Sequence, residues 1–163
     1  MEKNATSAKT TVSRTSGRIA AVCSSEKRGT PKHDIREGEL IADFGLKGDA
    51  HAGYMHRQVS LIALEDIEIM KAKLPDLAPG SFAENLTTEG FDLASLKVGD
   101  RIRIGAALLE ITQIGKECHS HCEIFKRTGE CIMPRKGIFA KVISGGIVKT
   151  GDTIEIAQDD KRL

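Results

Sequence analysis

The chain has few aromatic residues, no long apolar run and almost no net charge, and the last two features argue against particular classes of protein. It holds no tryptophan, one tyrosine and five phenylalanines among 163 residues. No apolar run approaches the ~20 residues that cross a bilayer as a helix, and the polar N-terminus lacks the apolar stretch of a secretion signal. The formal net charge of +1 disfavours a nucleic-acid-binding domain, which is usually strongly basic.

Familiar catalytic and nucleotide-binding motifs are also missing. The sequence contains no Gly-x-Gly-x-x-Gly, no Gly-x-x-x-x-Gly-Lys-Ser/Thr, no Gly-x-Ser-x-Gly and no His-Glu-x-x-His. Rossmann enzymes, P-loop ATPases, serine hydrolases and zincins are therefore disfavoured. Since no export signal is visible, we predict a cytoplasmic protein whose four cysteines stay reduced and serve as nucleophiles, metal ligands or core residues.

Positive charge is concentrated at the N-terminus. Residues 1–32 carry seven basic and two acidic side chains, a local net charge of +5, so the remaining chain is net −4. We expect these basic residues to lie largely in a solvated tail. The sequence predicts a disordered polar tail over residues 1–16, a single domain over 17–157 and a short C-terminal tail over 158–163.

Short strand-like segments separated by turn signals dominate the predicted domain. Alternating or continuous apolar residues predict strands at 17–23, 39–44, 59–62, 107–112 and 138–143. Gly-Asp, which predicts a tight turn, precedes an alternating strand in two similar segments, 96–104 and 147–156. The pattern predicts a mainly β fold, a β-barrel with a few short helices.

One amphipathic helix is predicted over residues 63–74. Its apolar face consists of Ile67, Met70 and Leu74, its acidic residues precede its lysines, and Pro75 follows its end. This face is expected to pack against the barrel.

The densest group of reactive side chains follows Gly115. Five residues between positions 118 and 131 are cysteine or histidine: Cys118, His119, His121, Cys122 and Cys131. Neighbouring basic residues favour the thiolate, which is the nucleophile and the soft-metal ligand. Three interpretations stay open: a catalytic or metal-coordinating cysteine, a closed zinc site, or half-buried cysteines beside solvent-facing histidines. Cys23, in an apolar strand, is predicted to be a core residue.

A glycine-rich segment, residues 45–57, is the second candidate. Its three glycines allow the backbone to approach a ligand closely. Its basic side chains Lys47, His51 and Arg57 offer donors to an anionic group, and arginine can bind phosphate in a bidentate manner. The alternative is a polar loop in which Asp49 and His51 only satisfy backbone groups.

The third candidate follows the small-residue turn at Pro79. Glu84, Asn85 and Thr87 are placed either to line a polar pocket or to cap a loop, and the sequence favours neither.

In this order the segments resemble the MOSC family, the domain named for the C-terminal part of molybdenum-cofactor sulfurases. Gly-Leu-Lys-Gly-Asp-Ala-His with Arg-Gln-Val-Ser-Leu is similar to the first family motif, and Pro-Gly-Ser-Phe-Ala-Glu-Asn-Leu to the second. The segment from Val98 to Cys118 resembles the third motif, and the one from Gly137 to Asp152 the closing segment. The similarity extends over about residues 17–157 and implies a MOSC-type β-barrel of the stand-alone bacterial type.

The resemblance also implies a cofactor and the residues that would bind it. The cofactor is molybdenum cofactor, an anionic, phosphate-bearing pterin. Cys118 matches the position of the cysteine that bears a persulfide or ligates molybdenum, and Cys122 is close enough to take its place. Lys47, His51 and Arg57 would hold the phosphate or pterin, and Asn85 is the cofactor-binding candidate of the second motif.

The function that follows is binding of molybdenum cofactor or carriage of sulfur, in the manner of a sulfur transferase. A separate cysteine desulfurase would donate the sulfur and a molybdoenzyme would accept it, because no desulfurase-like segment is visible in the sequence. The alternatives are a zinc-stabilised binding module without catalysis and a small molybdenum-dependent reductase of N-hydroxylated compounds. Neither a nucleic acid nor a membrane is expected as a partner.

Overall fold

The structure, a computed structural model, describes residues 16–28, 30–53, 55–115 and 136–157. In chain order its strands are β1 (Ser16–Ser24), β2 (His33–Asp34), β3 (Glu37–Ile41), β4 (Gly45–Leu46), β5 (Val59–Ala63), β6 (Leu86–Glu89), β7 (Arg101–Ile104), β8 (Ala107–Ile114), β9 (Ile138–Ser144), β10 (Gly146–Lys149) and β11 (Thr153–Ile156). The described elements also include an α-helix, α1 (Leu64–Met70), and a 3₁₀ turn (Leu93–Ser95).

Seven of these strands close into a barrel. Around the ring the order is β1, β11, β7, β8, β9, β5, β6 and again β1. Neighbouring strands are antiparallel except β5 and β6, which run parallel because α1 and the loop after it carry the chain back between them. The predicted mainly β fold and the predicted barrel are therefore confirmed.

Four short strands complete the architecture outside the ring. The strand β2 pairs with the end of β1, and β3 lies between β10 and β4 in a separate three-stranded sheet. The segment between β1 and β2 reaches the loop after β4, where the Ala50 amide donates to the Ser25 carbonyl at 2.8 Å. Two polar loops from different parts of the chain thus meet at one end of β1.

The two Gly-Asp segments form the same turn twice, as predicted. The Asp100 carboxylate accepts a hydrogen bond from the amide of Lys97, and the Asp152 carboxylate accepts one from the amide of Lys149, both at 2.9 Å. The glycines that precede them have φ values of 99° and 97°, a region that favours glycine. Each turn leads into an alternating barrel strand.

The core lies inside the barrel. In β7 the isoleucines Ile102 and Ile104 are fully buried while the two arginines between and before them are half-buried, which is the period-2 pattern of a strand with one face in a core. A second apolar cluster covers the barrel where α1 packs: Ile62, Ile67, Met70, Leu74, Leu77, Phe82 and Phe139. The predicted apolar face of the helix is therefore buried.

Two predicted elements are shorter in the structure. After Met70 the regular four-residue bonds give way to a mixture. The Leu74 amide donates to the Met70 carbonyl, but the Ala72 and Lys73 amides donate to carbonyls three residues back, so the α-helix ends before the predicted residue 74. The strand predicted over 39–44 ends at Ile41 because Asp43, at a φ of 53°, turns the chain.

The expectation that the N-terminal basic residues lie largely in a solvated tail is wrong for two of them. Arg18 lies in β1, with its Nη2 atom 2.8 Å from Glu89 Oε1, and Lys32 is only 3% exposed. Lysine is rarely buried unless it is paired, and its partner is described below. The two predicted tails fall almost entirely outside the described residues, so they stay predictions.

No helix among the described residues is both long enough and apolar enough to cross a membrane.

Candidate functional site

The glycine-rich segment forms a loop whose two ends touch; we call residues 45–58 the basic loop. Gly45, at a φ of 126°, lies so close to the other end that an added Cβ would be 2.8 Å from the Gln58 carbonyl oxygen. The buried Gln58 amide fixes that end: its Nε2 donates to the Met55 carbonyl at 3.0 Å, and its Oε1 accepts from the Val142 amide at 3.0 Å. The loop is thus anchored to the barrel at its base.

A buried ion pair holds the middle of the basic loop. Lys32 Nζ is 2.8 Å from Asp49 Oδ1, and neither side chain is exposed. The Asp49 carboxylate also accepts the backbone amides of Ser25 at 3.1 Å and His51 at 3.0 Å. Burial alone would raise the pKa of Asp49, but the hydrogen bond and charge of Lys32, with the two amides, lower it below its ordinary value. Asp49 therefore acts as an ionised anchor for the loop.

The structure places the three predicted phosphate-binding residues on this loop in different surroundings. The Lys47 side chain is 69% exposed, with its Nζ 4.0 Å from Glu39 Oε1. The His51 ring is 30% exposed, and its Nδ1 lies 3.0 Å from the buried Lys32 Nζ. The Arg57 guanidinium carbon lies 5.6 Å from the centre of the Phe139 ring, a cation–π distance. All three side chains carry N–H donors and lie on one anchored loop, and donors of this chemistry suit an anionic ligand such as a pterin phosphate. Their binding to a cofactor stays a prediction.

Asn85, the candidate of the second motif, holds three barrel strands together. Its Oδ1 accepts the Ser60 amide of β5 at 3.0 Å, and its Nδ2 donates to the Cys23 carbonyl of β1 at 3.1 Å. The residue precedes β6 directly and is 1% exposed. These bonds give it a structural position, and its predicted contact with a cofactor stays a prediction.

Glu84 shapes the loop before Asn85 from within. Its fully buried carboxylate accepts the amides of Gly80 at 2.7 Å and Phe82 at 3.2 Å and the Thr87 hydroxyl at 2.8 Å. Burial raises the pKa of Glu84 despite these bonds. Of the two interpretations of this segment, the structure shows loop capping by Glu84.

Lys32 connects the two motif loops to each other. While its side chain reaches Asp49 in the basic loop, its backbone amide donates to the Gly80 carbonyl at 2.8 Å in the second motif. A Cβ on Gly80, whose φ is 93°, would overlap the Lys32 carbonyl oxygen. Lys32, whose charge was counted with the basic N-terminus, thus bonds to both motif loops.

The strands that flank the cysteine-rich segment contact the basic loop. Cys118, Cys122, Cys131, His119 and His121 lie outside the described residues. The segment's flanking residues are described: the Gly115 amide donates to the Gly137 carbonyl at 2.7 Å, where β8 and β9 end their pairing.

Two contacts join this point to the basic loop. In β8 the Thr112 hydroxyl donates to the His56 carbonyl at 2.6 Å, and in β9 Phe139 lies under Arg57. The two strands that flank the segment with the candidate nucleophiles therefore contact the basic loop at His56 and at Arg57, one of the candidate phosphate-binding residues.

Cys23 is a core residue, as predicted. It is fully buried in β1, and burial, together with the negative charges of Glu84 and Asp34, raises the pKa of Cys23 to about 12. A thiol with that pKa is not ionised at neutral pH and is a poor nucleophile.

The sequence did not single out Lys32, Thr112 or Phe139. Lys32 stands in a polar loop between a proline and a histidine, and no local pattern marks a lysine there as buried. Thr112 and Phe139 look like ordinary strand residues, and their roles depend on strand pairing that brings them beside a loop distant in sequence. Within residues 16–115 and 136–157, the described part apart from Gly29 and Tyr54, no three His, Cys, Asp or Glu side chains are placed to hold a metal ion.

Comparisons with solved structures show the same fold in other proteins. Solved structures with the same fold include YuaD from Bacillus subtilis, with a TM-score of 0.73 and 21% identity over 86% of this chain and 95% of that one. YiiM from Escherichia coli matches with a TM-score of 0.61 and 22% identity over 86% of this chain and 70% of that one. YiiM from Geobacillus stearothermophilus matches with a TM-score of 0.66 and 14% identity, over 86% and 75% of the two chains.

No curated protein matches the sequence. The family model of the MOSC domain, however, matches residues 48–155, a range that begins in the basic loop and ends in the last barrel strand. The chain belongs to the MOSC domain family.

Proposed function

We propose that the protein binds molybdenum cofactor at the basic loop and uses Cys118 to carry a persulfide sulfur or to ligate molybdenum. The MOSC domain family is associated with molybdenum-cofactor binding or sulfuration. The observation that carries the proposal is the contact between the basic loop and the strands that flank the cysteine-rich segment. There Thr112 bonds to His56, and Phe139 lies under Arg57. These contacts support a single site made of a soft sulfur ligand and an anion-binding loop.

The basic loop supplies positive charge and oriented N–H donors, both of which suit a phosphate-bearing ligand. Arg57 keeps a planar guanidinium that is preoriented by the Phe139 ring and suits bidentate contact with phosphate. His51 adds a partly exposed imidazole, and Lys47 an exposed ammonium on the same loop. When bound, the cofactor would supply a molybdenum atom, and soft metals favour thiolate ligands.

Cys118 is close enough in the chain to share that site. It follows Gly115 by three residues, over which a fully extended chain spans at most about 11 Å. Cys122 is the alternative thiol on the same segment. The buried Cys23, with its raised pKa, does not compete for this role.

Sulfur loading would occur by thiol exchange with the persulfide of a separate cysteine desulfurase. The Cys118 thiolate attacks the outer sulfur of the donor persulfide and forms a new S–S bond, while the old S–S bond breaks and the donor cysteine leaves as a thiolate. Electrons balance without an added oxidant. A molybdoenzyme is the proposed acceptor, and the cytoplasm, where thiols stay reduced, is the proposed location.

Cofactor binding is tested with molybdenum cofactor released from a molybdoenzyme. The purified protein is mixed with it and gel-filtered, and molybdenum and pterin are measured in the protein peak. Arg57→Lys should weaken binding by about 2- to 30-fold, since it removes the planar fork and its cation–π contact. Arg18→Lys, which changes an exposed ion pair in β1, is the matched control and should bind as the wild type does.

Sulfur carriage is tested by intact-protein mass spectrometry after incubation with a cysteine desulfurase and cysteine. The wild type should gain the mass of one sulfur atom, which a reductant removes. Cys118→Ala should abolish the gain and Cys122→Ala should keep it. The opposite result would assign the reactive thiol to Cys122, and no gain in the wild type would leave only the ligation of molybdenum.

Metal analysis separates the proposal from its zinc alternative. Protein purified without added zinc is analysed for metals, and stoichiometric zinc lost in Cys118→Ala would mean a structural zinc site in place of a reactive thiol. Reduction of an N-hydroxylated compound by the cofactor-loaded protein would instead favour the small reductase.

A further inference from the structure

We propose that Lys32 is a positioning residue for His51: its buried ammonium occupies the Nδ1 lone pair, so the imidazole is held as the neutral Nε2–H tautomer. In that form the N–H of His51 has a direction fixed by the protein, which suits a hydrogen bond to an anionic oxygen. The identity of the ligand rests on the proposed function, whereas the tautomer follows from the contacts of Lys32 alone.

The ammonium of Lys32 has three protons and three acceptors around it. Nζ lies 2.8 Å from Asp49 Oδ1, 3.2 Å from Ser25 Oγ and 3.0 Å from His51 Nδ1. A lysine ammonium can only donate, so each neighbour must present a lone pair. A protonated Nδ1 would place two donors against each other, and a doubly protonated imidazolium would also place two cations 3.0 Å apart.

The Ser25 hydroxyl is free to accept because it donates elsewhere. Ser25 Oγ donates to the Lys27 carbonyl at 2.9 Å, which leaves its lone pairs for Lys32. The hydroxyl therefore donates to Lys27 and accepts from Lys32, so all three ammonium protons of Lys32 have an acceptor.

Asp49 does not serve as an acceptor for the competing tautomer. Asp49 Oδ2 is 3.9 Å from His51 Nδ1, beyond hydrogen-bond range. That oxygen already accepts the His51 backbone amide at 3.0 Å. The carboxylate thus orients the backbone of His51, and the ammonium orients its ring.

Lys32 acts through His51 and not on the ligand. Its side chain has no exposed surface, whereas the His51 ring is 30% exposed. Histidines in metal and acid–base sites are held in a similar way: the hydrogen bond at one ring nitrogen decides whether the other nitrogen carries a proton.

The direct test is nitrogen NMR of the imidazoles in ¹⁵N-histidine-labelled, ligand-free protein at neutral pH. The His51 signals, assigned with His51→Gln, should show a pyridine-like Nδ1 and a protonated Nε2. Because this measurement uses the unmodified chain, it is decisive even where variants fold poorly. A protonated Nδ1 with a bare Nε2, or an imidazolium, would overturn the inference.

Variants then separate positioning from a purely structural role. Lys32→Met should release the ring, so that a protonated Nδ1 becomes populated, and Lys32→Arg, which keeps donors, should retain the Nε2–H form. The control is Lys97→Met, a lysine in the exposed turn before β7, which should leave the His51 signals unchanged. Loss of stability in Lys32→Met with an unchanged tautomer would show that Lys32 is only structural.

Cofactor binding gives the second readout. With molybdenum cofactor released from a molybdoenzyme as the probe, Lys32→Met should bind about tenfold or more weakly, as expected for a misdirected hydrogen bond to a charged group. If the wild type shows the Nε2–H tautomer but binds no cofactor, the proposed function fails and the role of Lys32 stands. If cofactor binds while the tautomer is the other one, the role of Lys32 fails and the proposed function stands.

Discussion

The buried pair of Lys32 and Asp49 makes a sharp thermodynamic prediction. Asp49→Asn removes the negative charge and replaces one carboxylate oxygen with an NH₂ group. Since Oδ2 accepts the His51 amide, an amide nitrogen at that position would put two donors face to face. The Lys32 ammonium would remain fully buried without a counter-charge.

The expected loss of stability is large. Removing one partner of a buried ion pair costs about 3–5 kcal/mol, because the other charge stays desolvated. Small domains are stable by about 5–15 kcal/mol, so this is a third or more of a typical value. Lys32→Met should cost a similar amount by leaving the carboxylate uncompensated. The double variant removes both charges, so it should be no less stable than either single variant, which gives a coupling free energy of at least about 3 kcal/mol.

Equilibrium unfolding in urea at pH 7, followed by circular dichroism, measures the coupling as a double-mutant cycle. Each variant should keep the denaturant slope of the wild type and shift only the midpoint. The matched control is the exposed pair of Lys47 and Glu39, whose atoms lie 4.0 Å apart. Lys47→Met combined with Glu39→Gln should show a coupling of at most about 1 kcal/mol, as surface ion pairs do.

The pH dependence provides an independent check. The pKa of Asp49 is lower in the folded protein than its ordinary value, so its contribution is fully present above the unfolded pKa of about 3.9 and is lost as the pH falls through the folded pKa. The stability difference between the wild type and Asp49→Asn should therefore shrink below about pH 4. Additive single variants at pH 7, within about 0.5 kcal/mol, would refute the argument that the pair is a coupled buried unit.

Three further predictions concern the residues that join the strands and loops. Gly80→Ala should destabilise the protein by more than about 1 kcal/mol, because its φ is 93° and the new Cβ would overlap the Lys32 carbonyl, whereas Gly90→Ala, at a φ of 73° with open space, should cost only the backbone strain; urea unfolding compares the two. Cys23 should resist alkylation in the folded protein at pH 8 and react only on unfolding, as peptide mass spectrometry can show, and native labelling as fast as that of the unfolded chain would contradict its raised pKa. Asn85→Ala should cost at least about 2 kcal/mol, because a buried amide of β5 and a buried carbonyl of β1 lose their partner, and a change below about 0.5 kcal/mol would count against its structural position.

The barrel strands and their turns were predictable from sequence because their signals are local. The alternation in β7 and the Gly-Asp turn before it occupy nine neighbouring residues, 96–104, and the structure shows the predicted turn with its aspartate bond. The helix was predicted for the same reason, from the spacing of Ile67 and Met70, and only its last turn differs. Periodicity and turn chemistry act over a few residues, so one sequence is enough to find them.

The contacts that assemble the site were not predictable from sequence, because they join residues that are distant in the chain. The acceptor of Lys32 is seventeen residues away, and the strand pairing that places Phe139 under Arg57 joins residues eighty-two positions apart. A lysine in a polar loop is ordinarily exposed, so counting it as tail charge follows the general rule that this fold breaks. The candidate residues of the basic loop were found from its sequence motif. The structure added the contacts of Lys32 that connect this loop with the second motif.

In this site different residues attract an anionic ligand and orient it. The ammonium of Lys32 and the carboxylate of Asp49 neutralise each other inside the protein, so this pair adds little long-range attraction for an anion. Attraction then depends on Arg57, whose guanidinium lies over the Phe139 ring, and on Lys47, whose side chain is exposed. A neutral His51 adds no net charge, but its N–H has a fixed direction. Salt should therefore weaken the contributions of Arg57 and Lys47 and leave that of His51 nearly unchanged, which makes His51 the member of the set that orients a ligand and does not merely attract it.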